Sequence, residues 1–198
     1  MRHPRQRCTG GVPLARRDSR PVHVITFREI PVIRTTEPVT ATLLLASAAG
    51  ARSMAGVAAM TRAFAIDEGL SDVAALPHAL ASPRAQGVTA LLAAGELIGD
   101  KLPNIPNRTD LLPLLGRVGA GALIGAAVSD ATGRDRLTGA LVGGATALLA
   151  AELSYLARRE LSRVLPAFVA AAVEDAAVMW LAAEGARRLA SPGAPAAA

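Results

Sequence analysis

Six ionisable side chains stand deep inside apolar stretches of this sequence, at least one turn from either end: Arg52, Glu96, Arg117, Glu152, Glu174 and Asp175. Asp100 and Lys101 fall where one such stretch ends. If the stretches cross a bilayer, each central charge costs about 2.5–3.5 kcal/mol on insertion scales, so these groups must pair with one another or line water. Their signs do not balance: two deep cations, Arg52 and Arg117, face four deep carboxylates, Glu96, Glu152, Glu174 and Asp175. The surplus acids are expected to be protonated, with raised pKa values, or to be compensated by a bound cation or by water. Adjacent Glu174 and Asp175 point about 100° apart around a helix and need not share a partner. The plainer reading is a set of buried ion pairs, such as Arg52 or Arg117 with Glu96 or Glu174, that only fixes the packing.

Five apolar stretches carry these residues: Val39–Ala65, Ala85–Leu102, Leu111–Val128, Leu137–Ala157 and Val164–Ala186. Their lengths match the ~20 residues a helix needs to cross ~30 Å of hydrocarbon. Ala, Leu and Gly dominate and β-branched runs are scarce, which predicts helices rather than barrel strands. A soluble bundle should show a polar stripe at helical spacing. The runs Leu137–Leu149 and Gly119–Val128 carry no charge on any face, which favours a membrane bundle. The fold expected is therefore all-α, a polytopic transmembrane bundle of about five helices. It is flanked by a basic, disordered tail over residues 1–37 and a flexible tail over residues 188–198, with the bundle itself at 38–187.

Three patterns bear on how such helices would be arranged. Glycine pairs one turn apart, Gly95/Gly99, Gly121/Gly125 and Gly139/Gly143, would let helices approach closely. The segment Ala41–Ala46 echoes Ala145–Ala150, and each would be followed by a helix bearing acids, the plan of two inverted helix pairs around a central helix. Loop charges favour a cytoplasmic N-terminus, with the acidic segment Asp67, Glu68 and Asp72 on the opposite side. Arg187 and Arg188 run against that orientation.

Other classes of function find little support. The net charge of +5 gathers in the N-terminal tail, and aromatics make up only 3%, so no stacking nucleic-acid face is expected. Cys8 is alone in that tail, and His3, His23 and His78 are scattered, which leaves no disulfide framework or metal site and calls for no cofactor. Val22–Phe27 is too short and too soon interrupted by Arg28 and Glu29 for a cleavable signal peptide. No P-loop, nucleophile elbow or HExxH stands in the chain, so no enzyme is expected. Glu96 and Asp100, four apart on one helix face, are the one carboxylate pair placed for acid–base work.

The run Glu96-Leu-Ile-Gly-Asp-Lys-Leu-Pro103 resembles the E-x-x-small-D-K-aliphatic-P element of the domain-of-unknown-function 4126 family of small bacterial integral membrane proteins. Gly50-Ala-Arg-Ser53 is similar to that family's early G-x-R-S element, and Glu174-Asp175 to its late acidic pair. The stretch holding Asn107, Asp110, Arg117 and Gly119–Gly121 also corresponds, and the resemblance covers roughly residues 40–185. It departs in the fourth helix, where Glu152, Tyr155 and Arg158 stand in place of the expected His and Lys. The resemblance implies a bacterial inner-membrane location but no activity. Together these readings lead to proton- or cation-linked transport through a buried charged centre, with the bilayer and small cations or protons as partners and a homo-oligomer left open. The alternative is a structural or partner-binding membrane subunit.

Overall fold

The computed structural model describes residues 36–99 and 111–190, all within one unit spanning residues 31–198. Eight helices and no strands occur among the described residues: α1 (Thr36–Ala51), α2 (Ser53–Ile66), α3 (Glu68–Ser71), α4 (Ala75–Ala81), α5 (Pro83–Gly99), α6 (Leu111–Ala131), α7 (Arg136–Val164) and α8 (Ala167–Ala190). The all-helical class agrees with the composition.

The first apolar stretch is not one helix. Arg52 is extended (φ −140°, ψ 110°) and divides it into α1 and α2. The two halves then fold back on each other. A Cβ placed on Gly56 would lie 2.2 Å from the carbonyl oxygen of Leu45 and 3.1 Å from the nitrogen of Ala49. In a continuous helix Leu45 and Gly56 would be about 16 Å apart at ~1.5 Å per residue. The pair is an antiparallel hairpin turning on a single residue. Leu45, Met60, Phe64, Ile124 and Val128 bury their side chains fully where this hairpin packs on α6, and they form the main core.

Two consequences follow for the expected arrangement. The start of α1 and the acidic Asp67–Asp72 segment lie at the same end of the bundle, because α2 returns to the end from which α1 departs. The segment therefore does not face the opposite side. Arg188 from the end of α8 pairs there with Glu37 at 3.5 Å and with Glu184 at 2.6 Å, and Glu184 also holds Arg187. The arginines that ran against the loop-charge pattern are thus matched by local acids. The inverted-pair plan also fails, since α7 is an unbroken 29-residue helix where its supposed counterpart is a hairpin.

The remaining helices have readable boundaries. Pro83 opens α5 just after Ser82, whose hydroxyl accepts from the Ala85 amide at 3.3 Å. Gly133, at φ 67°, makes the turn between α6 and α7, a conformation open to glycine at little cost. Asp135 then caps α7 by accepting from the Thr138 amide at 2.7 Å. The α6–α7 pair is the tightest in the structure. A Cβ on Gly125 would lie 1.9 Å from the Gly139 carbonyl oxygen, and one on Gly143 would lie 2.1 Å from that of Gly121. The two glycine pairs face each other across antiparallel helices, as their spacing predicts. Gly95 does not share this role, for a Cβ there would meet nothing within 4 Å. Gly99 ends α5, and its surroundings lie outside what the structure describes.

α6 and α7 are long and apolar enough to cross a membrane, while α2 is apolar but shorter. α7 leaves Leu137, Leu141, Leu149 and Leu153 largely exposed, and α8 exposes Phe168 and Trp180.

Candidate functional site

A helix broken inside a bundle leaves amide donors and carbonyl acceptors that need partners. Arg52 satisfies its own backbone, since its N–H donates to Ala48 (2.8 Å) and its carbonyl accepts from Ala55 (3.2 Å). The next two amides, the first of α2, are taken by a side chain 43 positions away. Ser53 N donates to Glu96 Oε1 at 2.8 Å, and Met54 N donates to Glu96 Oε2 at 2.9 Å. One carboxylate from α5 thus caps the N-terminus of α2, where the helix dipole favours a negative charge. Arg52, at the cap position, supplies no side-chain cap of its own.

The other side of the break is met by a cation. Buried Arg117 of α6 donates from a terminal guanidinium nitrogen to the Gly50 carbonyl oxygen at 3.1 Å, near the C-terminal, negative end of α1. Gly50 is pressed against α7, where a Cβ would lie 2.3 Å from the Ala147 carbonyl oxygen. The Arg52 side chain, equally buried, reaches α8 and donates from Nε to Asp175 Oδ1 at 3.0 Å, with a second nitrogen on the same oxygen. Next to it, Glu174 accepts from Arg158 of α7 at 3.0 Å.

The hairpin turn therefore brings Arg52 together with Glu96, Arg117 and Asp175 from three helices, with the Arg158–Glu174 pair adjoining through α8. Among the described contacts, Arg52 meets Asp175 and Glu96 meets the amides of α2. Glu152 is not part of the set, because it lies on the exposed face of α7. Asp100 and Lys101 lie outside the described residues. Arg158 joins the set because α7 continues past Ala157, where the apolar stretch ends, to Val164. The charged, helix-favouring run Arg158–Arg163 after Ala157 was the available signal for that extension. Among the described residues, three cations (Arg52, Arg117, Arg158) and three carboxylates (Glu96, Glu174, Asp175) stand at the turn. The helix termini at the break act as further partial charges.

The charged turn closes one end of a cleft of about 830 Å3. α2 forms its floor, and α5 and α8 form its walls. Arg52 and Glu96 stand at the inner end, Arg62, Gln86 and Arg187 towards the other, and alanines line most of the length between. The cleft lies within the ~300–1,000 Å3 usual for ligand sites.

A family model described as Domain of unknown function (DUF4126) matches residues 39–184. The chain belongs to the DUF4126 family. No curated protein and no solved structure matches it. The matched region of this DUF4126 chain holds the whole charged turn and both walls of the cleft down to Glu184. The Gly50–Ser53 segment and Glu96, the first residue of the Glu96–Pro103 element singled out in the sequence, meet at the break, the segment supplying the turn and Glu96 its cap.

Proposed function

We propose that this DUF4126 protein is a polytopic membrane protein in which the α1–α2 hairpin carries a polar centre for proton- or cation-linked transport. The observation that carries the reading is the helix break at Arg52, capped by Glu96 and facing a cleft. Discontinuous helices with charged side chains at their exposed ends are the usual way for transporters to place binding groups at membrane depth. Glu96 and Asp175 are the groups to exchange a proton or cation, because each holds a partner that a local shift of α2 or α8 would release. α6 and α7 form the most membrane-like part of the bundle, and the exposed leucines of α7 would face lipid.

A structural role is the second reading, favoured by the Arg52–Asp175 and Arg158–Glu174 pairs at the turn. There the polar set would only lock the hairpin against α5, α6 and α8. Vesicles reconstituted with the protein separate the two. Transport predicts that an imposed proton or cation gradient collapses faster than in empty vesicles, and that Glu96→Gln slows the collapse at least tenfold. Flux equal to that of empty vesicles across gradients and pH leaves the structural role.

A further inference from the structure

The cleft between α5 and α8 has two chemically different ends and an apolar middle, and the polar centre uses only the inner end. Ala55, Ala90, Ala94 and Ala183 keep the walls thin, so the room exists without any side chain moving aside. Towards the far end stand Arg62, one turn before the end of α2, and Arg187, one turn before the end of α8. Arg62 is exposed and has no ion partner among the described residues, while Arg187 pairs with Glu184 yet keeps 71% of its side chain exposed. In a bilayer, arginines one turn from a helix end reach the headgroup layer, and basic pockets between membrane helices take anionic headgroups.

We infer that this cleft binds an anionic phospholipid of the surrounding bilayer. One acyl chain lies along the alanine-lined floor, and the phosphate rests against Arg62 and Arg187. The two charged side chains that line the mouth, Arg62 and Arg187, decide the occupant, because the acids at this end (Glu37, Glu184, Asp67 and Glu68) stand outside the lining. A second copy docked symmetrically here would present the same patch, with its own Arg62 and Arg187, whereas a lipid phosphate brings the complementary sign. The inference rests on the membrane reading but not on transport.

The test is lipid retention by the protein purified in a neutral detergent, measured by native mass spectrometry with phosphatidylglycerol and phosphatidylcholine of identical chains. Phosphatidylglycerol is expected to be retained at least tenfold better, and Arg62→Ser should remove most of that preference. Ala183→Phe, at an exposed position, fills the cleft and should reduce both lipids, and Ala90→Leu does the same with less bulk should the first variant fold poorly. Arg84→Ser, outside the cleft, should change nothing. Equal retention of the two lipids, unchanged binding after the cleft is filled, or dimers in place of bound lipid each overturn the lipid site. Release of the protein from native membranes by alkaline carbonate would instead overturn the membrane reading itself.

Discussion

Glu96 alone, among the described side chains, caps the start of α2. Its two oxygens serve the first two amides of α2, and no other described group caps that terminus. Glu96→Gln keeps the shape but leaves one acceptor oxygen for two donors and removes the charge that the helix dipole favours. Loss of a good cap costs about 0.5–2 kcal/mol, and Glu96→Gln is expected to fall at the upper part of that range. Chemical unfolding in detergent checks it, and stability equal to wild type would show that the cap is not what holds the break. The carboxylate was legible in the sequence as a costly charge. Its partner was not, because backbone amides carry no signature in a residue list.

At the scale of elements, the approximate positions of α5 through α8 were readable from apolar runs separated by proline, glycine or charged segments, and the facing glycines of α6 and α7 from their spacing. The break at Arg52 was not readable. Gly50-Ala-Arg-Ser53 contains no proline, and Ala-rich sequence on both sides favours continuation. The turn depends on tertiary partners: Glu96 for the amides, Arg117 for a carbonyl and Asp175 for the side chain.

Two predictions belong to this scale. Gly125→Leu forces α6 and α7 apart and should destabilise the fold by about 2 kcal/mol or more, as overpacking commonly does. Gly95→Leu, where a Cβ meets open space, should leave stability nearly unchanged. Thermal unfolding of the two variants side by side decides the point, and equal losses would contradict the packing described for α6 and α7.

The second concerns the cap of α7. The hydrogen bond from the Thr138 amide holds the Asp135 carboxyl below its ordinary value of 3.8. A depressed carboxylate pKa contributes stability that is fully present above 3.8 and fades as pH falls through the lower, folded-state value. Asp135→Ala should therefore melt below wild type at neutral pH and converge with it in strong acid. Parallel melting curves at every pH would sink the assignment.

Across the whole molecule, the hairpin changes what the chain can do with a bilayer. A single span of 27 residues from Val39 to Ala65 would place Arg52 on an ordinary crossing helix. The hairpin instead sets Arg52 at an inner turn, surrounded by charges from α5, α6 and α8 and open to the α2–α5–α8 cleft. Both the transport proposal and the lipid site depend on that reversal. The distance between the two ends of the hairpin is therefore the most direct measurement. Spin labels at exposed Val39 and Ile66, in a Cys8→Ser background, report it by pulsed dipolar spectroscopy in lipid. The hairpin predicts a separation below about 20–25 Å, that of neighbouring helices 8–10 Å apart plus the label arms. A separation near 40 Å, the length of about 27 residues of continuous helix, would contradict the account.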